Sequence, residues 1–443
     1  MTVKFRWLIP ALALAIFATS ASAQIDVVRY LNQETDPSIV TVQRNWVNDF
    51  VAQNPGIDVI LEGAPAAVIN QRITTYLQAG APLDVIHADG GSAARLAAEG
   101  LLEPLDDVVE ALGGRDAFLP GRLLIFEDKV YSINQAAATP VLHYRTDLFE
   151  AAGLQPPTTW DELLHAARTL HSADVAGIAL PGGENRATTI YSGIILWQNC
   201  GNYFDADLNV DLDNERTREA VEFYAELLEY APPDAAAWAF TEPMESFYAG
   251  RAAMVFYWNG LDLTYRTNPG LLDVVSVVFP PEGRMRVTEQ GGRYISLFHN
   301  SPNPEASKKW IQYIFTPENA QKLSEVQGML YPPATFAALE QLRGSTAPNL
   351  QIYGDLLFDV VFPASEYAYN QIFDGGGIDP DTCTMIRTGN VNPLVSVVWN
   401  SNLYARAVQQ VAYGGMSVDA AVAELQRNLS EQVEVARQEL GGN

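Results

Sequence analysis

VLHYRTDLFEAAGLQPPTTWDELLHAARTL, residues 141–170, has the clearest pattern of secondary structure in this chain. It predicts a strand, a tight turn with a short helix, a proline-rich connection and a second helix. Thr159 can cap the second helix, and Glu162 can complete a capping box. The apolar residues of that helix recur at the helical period: Trp160, Leu163, Leu164, Ala167 and Leu170. Such a unit is typical of α/β architecture.

The region before residue 92 predicts the same alternation of strands and helices. Three β-rich runs, at 25–31, 57–61 and 83–88, are separated by amphipathic helices. Polar side chains follow two of these strands, Gln33 and Glu34 after the first and Asp89 after the third. Ligands of doubly wound sheets bind outside the carboxyl ends of the strands, so we expect these residues at the mouth of a cleft. The alternative for each acid is a helix N-cap or a loop carboxylate.

The first 23 residues have the pattern of a secretion signal. Lys4 and Arg6 precede an apolar run at 7–18, and Ala21-Ser22-Ala23 forms a small-residue cleavage site. The alternative, a membrane anchor, would need a longer apolar run. We therefore expect cleavage after Ala23 and a protein of the bacterial periplasm.

Length and charge bound the class of protein. A chain of 443 residues, less its signal, is too long for one compact core and predicts two domains. Its formal net charge of −26 argues against nucleic acid and anionic membrane surfaces as partners. Net charge alone does not identify a small ligand, because it mainly governs solubility and long-range steering.

Five segments carry a resemblance to a known family: VLHYRTDLFEAAGLQPPTTWDEL (141–163), FYAGRAAM (247–254), NSPNPEASKKWIQYIF (300–315), TGNVNPLVS (388–396) and GGMSVDAA (414–421). Together they resemble the extracellular solute-binding proteins of ABC sugar importers, and the last two resemble its trehalose/maltose-binding-like subgroup. The resemblance implies an α/β periplasmic binding protein fold of two doubly wound lobes joined by hinge strands, as in maltose-binding proteins. It also implies a carrier of a di- or oligosaccharide or glycoside, not an enzyme.

The same resemblance implies two discontinuous lobes. We expect an N-terminal lobe at 24–132 plus 291–330 and a C-terminal lobe at 133–290 plus 331–443, with passages near Ser132, Gln290 and Leu330. Several hinge strands suit opening and closing around a ligand. The expected partners are a sugar and the transmembrane subunits of a permease. We expect a monomer without a cofactor.

Binding a neutral sugar requires acids and amides for its hydroxyls and aromatic rings for its C–H faces. The resemblance adds pocket candidates to Gln33, Glu34 and Asp89, namely Asn134, Glu242 (or Glu245), Trp258, Asn259, Gly292 and Arg387. Trp258 would stack on the sugar ring, and Arg387 would brace an acid. Alternatively, Asn134 and Gly292 form turns, and Trp258 belongs to the core.

Three further patterns bear on metal and redox chemistry, namely the two cysteines, the acids of 205–213 and the histidines. Cys200 and Cys383 form either a disulfide or two buried thiols, and the sequence leaves both open. The acids of 205–213 imitate a calcium loop, but Val210 and Arg216 replace its essential Gly and Glu, so we expect a polar hairpin. Five scattered histidines predict no metal site.

Two other functional classes remain as alternatives. One is a secreted carbohydrate-active enzyme, but the sequence has no GxSxG, P-loop or Rossmann glycine motif. The other is a receptor for a polyamine, because acids and aromatic rings also cage amines. An arginine in the pocket would argue against the polyamine.

Overall fold

The computed structural model describes residues 25–258, 269–271, 273–327, 332–369, 375–387 and 391–441. The predicted secretion signal, Asn259 and the passage expected near Leu330 lie outside these residues. The strands are β1 (Asp26–Asn32), β2 (Ile57–Gly63), β3 (Val85–Asp89), β4 (Leu123–Phe126), β5 (Lys129–Ala138), β6 (Pro140–Arg145), β7 (Met254–Trp258), β8 (Val275–Val278), β9 (Thr288–Glu289), β10 (Gly291–Leu297), β11 (Ala368–Tyr369), β12 (Gly375–Asp379) and β13 (Thr384–Arg387).

The α-helices of these residues surround the strands. They are α1 (Pro37–Gln53), α2 (Ala66–Ala79), α3 (Gly90–Ala98), α4 (Asp106–Ala111), α5 (Thr146–Ala152), α6 (Trp160–Leu170), α7 (Arg186–Gln198), α8 (Glu215–Leu228), α9 (Glu242–Tyr248), α10 (Pro304–Ile314), α11 (Pro317–Gln327), α12 (Phe336–Arg343), α13 (Pro348–Leu356), α14 (Val395–Ser401), α15 (Leu403–Ala412) and α16 (Val418–Gly441). The mixture of helix and sheet confirms the predicted α/β class.

The larger sheet has the strand order β2-β1-β3-β10-β5-β4. Strand β1 pairs in parallel with β2 and β3, as helical crossovers require, whereas β10 is antiparallel to β3 and β5. Buried aromatic side chains of Tyr30, Trp46, Phe50 and Trp310 pack together against this sheet. The carboxyl ends of β1 and β3 therefore lie side by side, as the sequence predicts.

The smaller sheet has the order β7-β6-β8, with antiparallel pairing. Parallel bridges from Ala176 to Ala252 and from Ala179 to Val255 extend it beside β7. Helix α7 covers this side, because its Tyr191 ring contacts the ring of Phe256 at 5.8 Å between centroids. The aromatic residues Phe256 and Trp258 at the end of β7 thus belong to the layer formed by the smaller sheet and α7.

The chain passes between the two sheets at Thr139 and at Gln290. Ser132, where the sequence placed the first passage, lies inside β5, and its hydroxyl contacts that of Ser296 at 2.6 Å. Strand β5 stays paired with β10 up to Ala138, so the passage comes after that residue. The return lies between β9 and β10.

The chain after residue 331 still packs against the larger-sheet side. Leu119 N–H donates to Ala334 O at 3.0 Å, and Gln341 of α12 donates to Gln321 of α11 at 2.6 Å. The π-helical turn Leu357–Val361 lies instead against β8 of the smaller sheet. The exact limits of the two lobes thus stay a prediction.

The caps of α1 and α6 follow local sequence. The Asp36 carboxylate accepts from Ser38 N–H at 2.8 Å and starts α1, which ends before Asn54. Thr159 caps α6 by accepting from Glu162 N–H at 3.3 Å. The Glu162 carboxylate, however, accepts from Thr158 N–H at 2.7 Å, one residue before the capping position.

Cys200 and Cys383 form a disulfide, which settles the two possibilities left by the sequence. The bond ties the loop after α7 to the turn between β12 and β13. Nearby, Phe204 pairs with Val210, and the Asp205 carboxylate accepts from Asp207 N–H at 2.9 Å. The acid-rich segment is thus a polar hairpin.

Candidate functional site

Asp89 ends β3 and faces the smaller-sheet side. Its carboxylate caps α3, because Oδ1 accepts from Gly91 N–H at 3.0 Å and Oδ2 accepts from Ser92 Oγ at 2.8 Å. Arg186 of α7 places Nη2 3.8 Å from Asp89 Oδ1. Asp89 is therefore both a helix cap and one half of an ion pair that joins the two sides.

The Arg186 guanidinium packs on the indole ring of Trp399. Its guanidinium carbon lies 5.1 Å from the centroid of the Trp399 ring, which is within cation–π distance. Trp399 lies in α14 and is buried. Arg186 occupies the first turn of a helix, where the helix dipole disfavours a cation, so its contacts with Asp89 and Trp399 must compensate.

Glu34 forms a second acid–arginine pair. Arg293 Nε donates to Glu34 Oε1 at 3.1 Å, and the Glu34 side chain is 12% exposed. Arg293 lies in β10, directly after the passage at Gln290. Charge-assisted hydrogen bonds of this kind fix both side chains relative to each other.

Gln33 is buried beside this pair. In the residues that the structure describes, neither its amide oxygen nor its amide nitrogen has a hydrogen-bond partner. The adjacent Asn32 contacts His87 Nδ1 at 2.6 Å. Burial, with help from the positive charge of Arg293, lowers the pKa of His87 to about 3, so this imidazole is neutral at pH 7.

Trp258 ends β7 within an aromatic cluster. Its indole N–H donates to Glu289 Oε2 at 3.4 Å, and its ring lies 5.3 Å from those of Tyr191 and Phe240. Trp258 is half-buried, whereas the Glu289 residue is only 2% exposed. The cluster holds the indole in one orientation beside the passage at Gln290.

Asn134 and Gly292 lie against each other where β5 meets β10. Asn134 is fully buried, its Oδ1 accepts from Arg293 N–H at 3.2 Å, and its amide donates to Gly291 O at 3.3 Å. Gly292 has φ of +155°, and a Cβ there would approach Asn134 Oδ1 to 2.3 Å. Glycine is thus required at 292 for strand packing, and ligand contacts by either residue stay a prediction.

The remaining candidates are Glu242 (or Glu245), Arg387 and Asn259. The Glu242 carboxylate accepts from Ala239 N–H at 2.9 Å, and Glu245 is exposed. Arg387 ends β13 opposite Gly375. Asn259 lies outside the described residues. These assignments stay predictions.

Sequence reasoning missed Arg186, Arg293 and Glu289. Their partners lie far away along the chain, since Glu34 and Arg293 are 259 positions apart. A usable signal existed only for Arg186, which opens a helix directly after the capping residue Asn185. A cation in that unfavourable position indicates a partner elsewhere.

The chain belongs to a known family. The family model described as bacterial extracellular solute-binding protein matches residues 36–321, more than half of the chain. The mannitol-binding protein of Pseudomonas aeruginosa is 26% identical over 294 residues, which cover 61% of this chain and 65% of that protein. Family and fold are those of transport-binding proteins.

Solved structures show which fold this is. The sugar-binding protein MalE of Xanthomonas citri matches with a TM-score of 0.74 and 21% identity, over 94% of this chain and 100% of that one. A solute-binding protein of Thermotoga lettingae bound with α-D-tagatose matches with a TM-score of 0.73 and 20% identity, over 93% and 100%. The fold is maltose-binding-protein-like, as predicted.

Two further features concern the described ranges only. Within them, the structure contains no helix with the length and apolar composition needed to cross a membrane. The same residues contain no group of three or more His, Cys, Asp or Glu side chains placed to hold a metal ion.

Proposed function

We propose that this protein is the periplasmic substrate-binding component of an ABC transporter. It takes a neutral polyhydroxylated solute, a sugar or a sugar alcohol, between its two sheets and delivers it to the permease subunits in the membrane. The family match supports the binding role. The ligand class is supported by a relative that binds mannitol and by a structural neighbour bound with tagatose.

The observation that carries the proposal is that the two acids at the strand ends, Glu34 and Asp89, are each paired with an arginine. Glu34 is paired with Arg293, and Asp89 with Arg186, so the two pairs add no net charge. They still offer carboxylate oxygens and guanidinium N–H groups, which together can accept from and donate to the same hydroxyl groups. A neutral polyol satisfies such a surface without bringing an uncompensated charge.

The same pairing argues against charged ligands. A polyamine would have to displace an arginine to reach either carboxylate, and would meet guanidinium charge at both positions. An organic phosphate would meet a carboxylate beside each guanidinium. Like charges placed close together disfavour both ligands.

Trp258 supplies the apolar part of the proposed site. Tyr191 and Phe240 fix its ring, so little side-chain entropy is lost when a sugar face or an alditol chain packs on it. Because Trp258 and Arg186 belong to the smaller-sheet side and Glu34 to the larger, the solute would contact both sides. Only such a ligand favours closure.

For the two lobes we propose 25–138 plus 291–345 and 139–290 plus 357–441. Strand β5 stays in the larger sheet through Ala138, and α12 packs on α11. The π-helical turn Leu357–Val361 lies against β8. These limits revise the sequence expectation at its first and third passages.

A thermal-shift panel tests the proposal. It contains maltose, trehalose, tagatose, mannitol and ribitol, with spermidine and sn-glycerol 3-phosphate as charged competitors. A solute present at 100 times its Kd adds about 2.7 kcal/mol of stability, so one neutral member or more should raise the Tm. Stabilisation by a charged competitor alone would overturn the ligand class. A chromogenic glycosidase assay tests the enzymatic alternative.

A further inference from the structure

Asn32 is the last residue of β1 and directly precedes the loop that carries Glu34. Its side-chain Oδ1 accepts from the Glu34 backbone N–H at 3.0 Å, and its amide nitrogen donates to Gln43 Oε1 of α1. The same Asn32 oxygen lies 2.6 Å from Nδ1 of His87 in β3. Asn32, Gln43 and His87 are all buried. One buried amide thus joins the Glu34 loop to a helix and to a neighbouring strand.

The proton positions in this group follow from the donors that it contains. A backbone N–H only donates, so the Asn32 atom that faces Glu34 must be the oxygen and not the nitrogen. The His87 nitrogen that faces the same oxygen must then carry a proton. Because burial lowers the pKa of this imidazole to about 3, it is neutral at pH 7 and its single N–H is at Nδ1. His87 is therefore a fixed donor to Asn32.

The position of Glu34 depends on this group. Residues 33–36 belong to neither a helix nor a strand, so regular backbone pairing does not fix them. The Glu34 backbone is bound to Asn32, and its carboxylate accepts from Arg293 Nε at 3.1 Å. A binding group keeps its geometry when the residues behind it are themselves locked by hydrogen bonds. His87 and Gln43 supply that lock, because they bind the two ends of the Asn32 amide.

We infer that His87 is a positioning residue for the proposed ligand site. It donates to Asn32, which in turn holds Glu34, so His87 raises the affinity for the solute without contacting it. An acid that is already in place loses little freedom when the solute binds, and this lowers the Kd. The effect on affinity rests on the proposed function, whereas the hydrogen bond from His87 to Asn32 does not.

His87→Leu and His87→Asn separate positioning from packing. Leucine fills much of the space of the ring but cannot donate, whereas an asparagine amide nitrogen can take the place of Nδ1. Calorimetry with the most stabilising neutral solute of the panel should show about three- to tenfold weaker binding by His87→Leu and a nearly unchanged Kd for His87→Asn. Asparagine leaves a cavity, so His87→Asn should nevertheless have the lower Tm of the two. Equal losses of binding in both variants would show that the donor has no part in affinity.

A double variant tests whether His87 acts through Glu34. Glu34→Ala removes the side chain that contacts Arg293 and keeps the backbone N–H that Asn32 accepts. In this background, adding His87→Leu should weaken binding by about twofold at most, because the acid that it positions is gone. Losses that multiply in full would show that His87 affects binding by another route, and would overturn the inference.

The ligand-free protein gives an independent readout. The chain has five histidines, and isotope labelling of the histidine nitrogens makes their protonation visible by NMR. The spectrum should contain a neutral imidazole protonated at Nδ1, and this signal should be missing in His87→Leu and His87→Asn. A His87 ring protonated at Nε2 could not donate to Asn32, and the inference would fail.

The same spectrum covers the two ways in which the binding experiments could fail. If neither variant folds, the complete absence of a neutral Nδ1-protonated histidine in the unaltered protein would overturn the inference. If no neutral solute binds, the proposed function fails, whereas the spectrum still tests the hydrogen bond from His87 to Asn32.

Discussion

The two sides of the proposed site are built by different means. On the larger-sheet side, Glu34 and Asp89 follow strand ends directly, and parallel pairing brings those ends together. On the smaller-sheet side, Arg186 begins a helix, Trp399 lies in a late helix, and Trp258 ends an antiparallel strand. One side supplies mainly carboxylates, and the other supplies guanidinium and indole. The solute is therefore recognised only where both sides meet.

The disulfide lies on one side only, so its removal should give the largest difference in stability between the two sides of the site. Cys200 and Cys383 both belong to the smaller-sheet side and enclose 183 positions of chain. Closing a loop of that length stabilises by about 5 kcal/mol in the chain-entropy account. The double variant Cys200→Ser/Cys383→Ser should therefore lower the unfolding temperature of the smaller-sheet lobe.

Calorimetric scanning resolves this effect if the two lobes unfold in separate steps. Dithiothreitol should reproduce the shift in the unaltered protein and add nothing to the double variant. Equal displacement of both unfolding steps would show that the two sides form a single cooperative unit and would remove the basis of the comparison.

Trp258→Ala should have the largest effect on binding. Removing a fixed aromatic surface forfeits about 1.5–3 kcal/mol of apolar burial, which corresponds to about 10- to 100-fold weaker binding. Calorimetry with the neutral solute that stabilises most measures this loss. Phe336→Ala, which removes an aromatic ring that is 51% exposed, is the matched control and should leave the Kd unchanged. An unaltered Kd in Trp258→Ala would show that the indole is a core side chain and does not contact the solute.

One buried histidine lies on each side, so the acid sensitivity of the two sides can be compared. His87 lies in β3 and His143 in β6, and burial lowers their pKa values to about 3 and about 4. In the unfolded chain, each imidazole binds a proton with the ordinary pKa of about 6.5. In the folded protein, each imidazole stays neutral until the pH falls to its lower folded pKa. Stability is thus complete above pH 6.5 and declines as the pH falls toward the folded values. At pH 5, each histidine lowers the free energy of unfolding by about 2 kcal/mol relative to its value above pH 6.5.

His87→Gln and His143→Phe separate these contributions. Each variant should lose less stability than the unaltered protein between pH 7 and pH 5, His87→Gln in the larger-sheet lobe and His143→Phe in the smaller. Carboxylates titrate in every variant alike, so their effect cancels in the difference. Identical pH dependence in all three proteins would contradict the low folded pKa values.

Much of this fold could be predicted because its signals are local. Helix α1 ends where Asn54-Pro55-Gly56 stops it, and Thr159 starts α6 through a neighbouring backbone N–H. The limit of the first lobe stays a prediction, because nothing near Ser132 reveals that β5 remains paired with β10. Strand pairing over such distances depends on residues that sequence order does not bring together.

The candidate site could be predicted only in part, for the same reason. Glu34 and Asp89 were found from their positions after strands, but their arginines come from distant segments. Asn134 and Gly292 were proposed for the ligand, and the structure shows them packed against each other. Residue types and the family resemblance were enough to locate this region. They did not reveal which side chains form hydrogen bonds or ion pairs with each other there.

Asp89→Asn should have the smallest effect, and it separates the two roles of that residue. Asparagine caps helices about as well as aspartate, so α3 and the Tm should be preserved. The variant loses the charge that faces Arg186 and one charge-assisted acceptor, which should weaken neutral-solute binding by about tenfold. Asp89→Ala removes the cap as well and should cost about 1 kcal/mol of stability in addition.

Arg186→Gln is the partner variant across the gap. If the acid and the arginine act together, the double variant should bind about as weakly as either single one, because the second change removes an interaction already lost. Fully additive losses would mean that the two sides contact the solute independently. The 3.8 Å pair would then be a by-product of closure, and the difference between the two sides would lie in composition alone.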